Sequence, residues 1–198
     1  MTIYRLQAGN LTWQAIASLA YNKMYMLRLS NNYLDRSILS LRTGGVIGVA
    51  LAPIINPNNL KIEGWYAQNR LEKGRFVLPI LEIRDFIAKG LVVNDHDALT
   101  HPDDMVRLKD TMNLRFELIG KLVTTEGKKR LGKVIDYAVD EQSNYIQKIY
   151  VNPSLLKGLT NDQMLIDRSQ IIEITDKKII IANLDATVRS GLAMPAEA

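Results

Sequence analysis

Apolar and polar positions alternate in short runs along the chain, and turn-forming residues bound these runs. KLVTTEG (121–127) and GKVIDYAV (132–139) repeat apolar side chains with a period near two, which is the signature of half-buried strands. Valine and isoleucine dominate the runs, and β-branched side chains fit a pleated sheet. The pattern predicts an all-β fold of short strands and tight turns.

The chain contains this pattern twice. GVALAPIINPNNLKIEGWYAQ, from Gly48, aligns without a gap to GKVIDYAVDEQSNYIQKIYVN, from Gly132, at an offset of 84 residues. VLPILEIRDFIAKGLVV (77–93) aligns to LIDRSQIIEITDKKIII (165–181) at an offset of 88. Internal repetition of this kind predicts two copies of one structural unit.

The glycines in RTGGVIG (42–48) could belong to a phosphate-binding loop or to a tight turn. A phosphate loop precedes a helix N-terminus, but a strand pattern follows here in both copies. The second copy also places Glu126 in the loop, where a carboxylate would repel phosphate. We therefore interpret Thr43-Gly44-Gly45 and Thr125-Glu126-Gly127 as equivalent hairpin turns, with Gly45 and Gly127 at positive φ.

The segment between the copies predicts a short helix. Thr100 is a suitable N-cap, Pro102 suits the first turn and Asp103-Asp104 suit the positive end of the helix dipole. The helix is expected to end near Asp110, and a single helical turn is expected at Pro153–Gly158. The expected organisation is a dispensable leader (1–23), a first barrel (24–95), a helical linker (96–112), a second barrel (113–183) and a flexible tail (184–198).

Composition and charge favour a cytoplasmic globular protein. The 198 residues include no cysteine, and the longest apolar run is too short for a membrane span. The net charge of +4 comes mainly from the first 37 residues, where four basic residues face one acidic residue. The rest is nearly balanced, so the charge gives no support for a dedicated nucleic-acid domain, and no DNA binding is expected.

No group of residues in the sequence indicates a catalytic site. His96 and His101, with the aspartates around them, are the one cluster that could hold a metal, but their spacing of five does not place them on one helix face. A solvated linker explains the same residues. We expect no catalytic residues, no cofactor and no metal, and therefore no enzyme.

Two groups of side chains are candidates for partner binding. Trp65-Tyr66 and Tyr150 fall at matching places in the two copies, where they could pack in a core or anchor a protein partner. Lys128-Lys129-Arg130 could be a solvated hairpin tip or could contact phosphate or an acidic surface.

The second copy resembles the PRC-barrel family. The resemblance is carried by Leu118-Ile119-Gly120, a Thr-x-x-Gly turn, Gly132-Lys133-Val134 with Asp136, and the strand Ile171–Ile174. The first copy matches at Thr43-Gly44, Ile47-Gly48 and Pro79–Ile83, so the resemblance covers about residues 27–95 and 114–183.

The resemblance implies two small closed β-barrels joined by a short helix. Members of the family are adaptors, found in the photosynthetic reaction centre H chain and in a ribosome maturation factor. That factor pairs one PRC barrel with a different N-terminal barrel, whereas this chain is PRC-like in both halves. The resemblance therefore implies a non-enzymatic adaptor for a protein partner, with RNA-linked work in ribosome assembly, on RNA or a ribosomal subunit, as the alternative.

Overall fold

The described part of the protein is mostly β-structure, as the alternation predicts. A computed structural model describes residues 27–30, 34–153 and 163–183. Its thirteen strands are β1 Leu27–Leu29, β2 Arg36–Ser40, β3 Val46–Asn56, β4 Lys61–Asn69, β5 Phe76–Pro79, β6 Ile83–Ile87, β7 Gly90–Val93, β8 Leu122–Thr125, β9 Arg130–Asp140, β10 Ile146–Pro153, β11 Met164–Asp167, β12 Ile171–Ile174 and β13 Lys178–Ile181. The expected leader, the helical turn after Pro153 and the expected tail lie outside the described residues.

The two copies form two sheets with the same topology. The first sheet has the order β5-β4-β3-β2-β7-β6, and the second has the order β11-β10-β9-β8-β13-β12. In each sheet the one parallel contact joins the first strand of the copy to its last, β2 to β7 and β8 to β13. Even a register shift is repeated, after Ile83 in β6 and after Ile171 in β12. The duplication predicted from the sequence is confirmed.

Each sheet must curl, because its two edge strands are neighbours in the chain. The 3-10 turn Ile80–Glu82 links β5 to β6, and Arg168–Gln170 links β11 to β12. The edges of a flat six-stranded sheet would lie about 24 Å apart, which is farther than a three-residue connection can reach, at about 3.5 Å per residue. In the described part of the chain no ladder joins the two edges. Each sheet is therefore a curled half-barrel rather than a closed one.

The two half-barrels share one hydrophobic core. Buried side chains of both sheets, from Ile38 through Trp65 to Ile181, form a single cluster. The β3–β4 and β9–β10 turns pair with each other, since Ile62 N–H donates to Asn144 O (2.8 Å) and Ile146 N–H donates to Leu60 O (2.9 Å). These two bonds are equivalent at the offset of 84, so the halves meet by a pseudo-twofold contact.

Strand β1 crosses between the copies. Although Leu27–Leu29 precedes the first copy and was expected in the first barrel, it pairs antiparallel with Ala138–Asp140 of β9 in the second sheet. It occupies the edge of β9 beyond the short strand β8, which pairs only with Arg130–Lys133. Strand β1 therefore ties the two units together.

The prediction that Gly45 and Gly127 have a positive φ is wrong. Positive φ falls at Gly44 (+67°) and at Lys128 (+63°), not at Gly45 or Gly127. The physical reason is a difference in loop length: Ser40 N–H donates to Gly45 O in the first hairpin, whereas Thr125 N–H donates to Lys129 O in the second, which is one residue shorter. Gly44 and Lys128 are thus equivalent, and strands follow both turns, as predicted.

The linker helix also begins later than expected. Thr100 does not cap a helix, because its backbone is extended and exchanges two hydrogen bonds with Val77 of β5. Pro102–Asp104 form only a 3-10 turn, and the short helix α1 spans Lys109–Asn113. The backbone pairing of Thr100 with β5 has therefore outweighed the preference of Thr100 and Pro102 for the start of a helix.

Candidate functional site

Trp65 lies in the core and is not a surface anchor. Its side chain is 0% exposed, and it faces Phe86 across the seam of the first half-barrel with a ring separation of 5.9 Å and an interplanar angle of 60°. Its cross-strand neighbour is Pro53. Of the two roles that the sequence left open for Trp65, packing in the core is therefore the one that its position supports.

Tyr66 faces the opposite side of the same sheet, where the linker packs against it and leaves it half-buried. Ile54 and Val77 lie on this outer face, and Leu108 completes a small buried cluster with them. Tyr66, Met105 and Met112 pack around that cluster. Thr111 Oγ1 donates to Glu63 Oε2 at 2.8 Å and fixes the helix on the sheet. The chain itself thus covers the part of this outer face around Val77, whereas Ala52, on the other side of Tyr66, stays exposed.

Tyr150 holds the equivalent position on the second sheet. Its cross-strand neighbours are Asp136 and Leu165, as those of Tyr66 are Ala52 and Val77. Tyr150 is half-buried, and Leu165 is 38% exposed, whereas Val77 is 0% exposed. We call the outer-face residues Asp136, Ala138, Lys148, Tyr150, Leu165 and Asp167 the Tyr150 face.

One side of the Tyr150 face is closed by strand β1 and the residue after it. Ser30, which follows β1, donates to Asp136 Oδ1 from its backbone N–H (3.2 Å) and from its hydroxyl (2.5 Å). Arg28 pairs with Glu141, which directly follows β9. No described residue covers the rest of the face as α1 covers its counterpart. Leu165, Asp136 and Ser30 were not predicted; the offset of 88 alone could have pointed to Leu165, since it matches Leu165 to Val77.

The basic residues Lys128-Lys129-Arg130 form an exposed hairpin tip away from Tyr150. All three are exposed, and none takes part in an ion pair within the described segments. Arg130 pairs with Thr124 and Tyr150 pairs with Asp136. Those β9 positions are six residues apart, or about 20 Å at the rise of a strand. The structure therefore does not bring the aromatic and basic candidates into one site.

A polar cleft lies at the seam between the halves. It has a volume of about 370 Å³ and is lined by Ile80, Ile83, Arg84, Asp85, Phe86, Glu141, Gln142 and Asn144. Desolvation is the main cause that raises the pKa of Glu141, and the charges of Asp85 and Asp140 add to it against the opposing effect of Arg28. The fold therefore disfavours ionisation of this carboxyl.

The two histidines of the linker have separate partners. His96 Nδ1 lies 2.9 Å from Asp95 Oδ1, while His101 Nε2 lies 3.3 Å from Glu72 Oε1 and its ring faces Phe76. In the segments that the structure describes, no three His, Cys, Asp or Glu side chains are grouped to hold a metal. The hypothesis of a metal site between the histidines thus has no geometric support.

Asp95 instead fastens the first hairpin to the linker. It accepts from the Ser40 hydroxyl at 3.2 Å and pairs with Arg42. Desolvation raises the pKa of Asp95, but the hydrogen bonds from His96, the charge of Arg42 and the Ser40 hydroxyl outweigh it and hold the pKa below the usual range. Asn183 takes the same place in the second copy, where its side chain accepts from Gly127 N–H at 3.3 Å.

No family model matches the chain, and no curated protein sequence matches it significantly. The PRC-barrel resemblance stays a prediction. Across residues 27–30, 34–153 and 163–183, none of the helices is both long and apolar enough to cross a membrane.

Proposed function

We propose that the chain is a non-enzymatic adaptor of two PRC-like half-barrels, in which the Tyr150 face binds a protein partner. The observation that carries the proposal is the unequal cover of two equivalent faces. The chain packs its own helix against Tyr66 in the first copy, whereas Tyr150 and Leu165 have no such cover among the described residues. The first copy thus supplies an internal precedent for a protein segment bound at this position.

The chemistry of the Tyr150 face suits a reversible protein contact. Its centre is aromatic and aliphatic, with Tyr150 beside Leu165, and Lys148 lies opposite Asp167 in the strand register. Non-obligate interfaces combine a small apolar centre rich in tyrosine with a polar rim. The partner is expected to present an apolar side chain to Tyr150 and opposite charges to the rim.

Affinity purification of the full chain tests the proposal. Tyr150→Ala should lose a protein that the wild type retains, because truncating a hot-spot tyrosine at the centre of an interface costs about 2 kcal/mol or more. Ile172→Ala is the matched control, since Ile172 is exposed on β12 of the same sheet. Retention of every bound protein by Tyr150→Ala, with the variant still folded, would refute the proposal.

RNA-linked work in ribosome assembly is the second candidate, and the exposed Lys128-Lys129-Arg130 tip favours it. Cations on a hairpin tip can neutralise phosphates, which gives affinity that falls steeply with salt. If this candidate is correct, ribosomal subunits or RNA will copurify at low salt, and replacing all three residues with alanine will abolish that copurification while Tyr150→Ala will not. A protein complex free of RNA supports the adaptor instead.

A further inference from the structure

Three cations from neighbouring strands lie on one face of the second sheet. In the strand register, Leu122 of β8 has Lys133 of β9 on one side and Lys178 of β13 on the other. Arg130 lies opposite the residue two positions further along β8. Paired residues, and residues two apart in a strand, point to the same face of a sheet. Val123, which points the other way, is buried in the core, so the three cations lie on the outer face, where all are exposed.

The hairpin tip extends this group of cations. Strands lie about 4.8 Å apart and rise about 3.4 Å per residue, so the backbones of the three cations fall within about 12 Å. We call Lys128, Lys129, Arg130, Lys133 and Lys178 the cationic face. In the part of the chain that the structure describes, none of the five takes part in an ion pair. With the adjoining residue Lys177, six cations stand against three carboxylates, those of Glu126, Glu173 and Asp176. The fold thus concentrates positive charge that the balanced sequence of this copy does not reveal.

The first sheet carries no charge at the equivalent positions. Ser37 of β2 is paired with residues of β3 and β7 just as Leu122 is paired with residues of β9 and β13. The residues that correspond to the three sheet cations are Val46, Val49 and Gly90. Since the same topology forms without these cations, the fold does not require them, and they are a property of the second copy.

We propose that the cationic face binds the phosphate backbone of double-stranded RNA. Four of its five cations are lysines, and lysine is depleted in protein interfaces but neutralises phosphates. The side chains between them, those of Leu122, Thr124 and Ile180, are not aromatic. They offer no platform for stacking unpaired bases, on which the binding of single strands relies, whereas duplex RNA is recognised by its shape and backbone. The inference rests on the second candidate function and extends it from the hairpin tip to the sheet.

Binding of a short RNA duplex to the full chain, followed by fluorescence anisotropy at several salt concentrations, tests the proposal. Five neutralised phosphates predict a slope of about −4 for the logarithm of affinity against that of salt concentration. Lys133→Ala combined with Lys178→Ala should weaken binding and make the slope shallower by about 2. Lys89→Ala combined with Lys109→Ala removes the same charge from exposed positions elsewhere and should leave affinity and slope unchanged. Arginine at both 133 and 178 should preserve binding, because the contact depends on charge.

The outcomes separate this proposal from the others. Absence of duplex binding at low salt would overturn it together with the RNA candidate. Full binding by the Lys133 and Lys178 alanine variant, with its melting temperature unchanged, would overturn the cationic face alone. Tighter binding of single-stranded polyuridylate, or displacement of the duplex by polyglutamate of equal charge, would also overturn it, and the second result would assign the face to an acidic protein. Tyr150→Ala should leave duplex affinity unchanged, since Tyr150 lies outside the cationic face.

Discussion

At the residue scale, Gly48 and Gly132 show why both copies have glycine at this position. A Cβ at Gly48 would lie 2.5 Å from Gln68 O, and one at Gly132 would overlap Asn152 O. Gly132 also has a φ of +153°, which other residues rarely adopt. The close approach of neighbouring strands that the sequence predicts at both positions is thus present.

Replacing either glycine should destabilise the fold. Gly132→Ala is expected to cost about 1–3 kcal/mol, by overpacking, and Gly48→Ala somewhat less, because its φ is not strained. Gly45→Ala is the control, since its nearest neighbour would be Thr43 Oγ1 at 3.7 Å. Thermal unfolding of the three variants measures the difference. If Gly132→Ala has the same melting temperature as Gly45→Ala, the close strand contact at Gly132 does not limit the side chain there.

Asp95 should make stability depend on pH. Its pKa is lower in the folded protein, so its contribution is fully present above the ordinary pKa of an aspartate and is lost as the pH falls through the folded value. Asp95→Asn should therefore lower the melting temperature most at neutral pH, and the gap to wild type should narrow on acidification. Asp97→Asn, at an exposed neighbour, should show no such gap. If the difference in melting temperature between Asp95→Asn and wild type instead grows at acidic pH, folding raises the pKa of Asp95 rather than lowering it.

At the element scale, most of the two sheets could be predicted because the period-two pattern is local and occurs twice. The pairing of β1 with β9 could not be predicted, since three residues carry no signal for a partner about 110 positions away. The start of α1 was missed because Thr100 satisfies both a helix cap and a strand bridge, and only tertiary contact decides between them. Trp65 and Tyr66 are adjacent and therefore face opposite sides of the sheet. Which of them faces the core could not be predicted, because the bulges in the β3–β4 pairing decide it.

Strand β1 should stabilise the second sheet. A chain that starts at Met24 keeps β1 and Ser30 and should melt like the full chain, whereas one that starts at Asn31 loses the bonds to Asp136. Hydrogen bonds to a charged group contribute about 1.5–3 kcal/mol, so the shorter chain should be less stable by at least that amount. Denaturant unfolding measures the free energy of unfolding of the full chain and of the two shorter chains. Equal stability would show that β1 is dispensable, and a loss already at Met24 would show that the preceding residues matter.

At the scale of the whole molecule, the shared core implies that the two halves unfold together. Ile146 is fully buried where the halves meet, and its N–H bonds to Leu60 of the other half. Ile146→Ala should cost about 2–5 kcal/mol. Because the core is continuous, amide exchange should accelerate in β3 and β4 as well as in β9 and β10.

Ile172→Ala is the control for this seam variant, since Ile172 is 54% exposed and such surface changes stay within about 0.5 kcal/mol. Faster exchange confined to β9 and β10 in Ile146→Ala would mean that the halves are independent domains. Faster exchange throughout would show that the pseudo-twofold contact couples them.

A bound protein partner should be detected most directly at Tyr150. A photo-crosslinking amino acid placed at Tyr150 of the full chain, in cells, should yield one discrete adduct with another protein. The same amino acid at Leu51, which is exposed on the first sheet, should yield none. Absence of an adduct at Tyr150, or an adduct with RNA in place of protein, would contradict the claim that the Tyr150 face binds a protein partner.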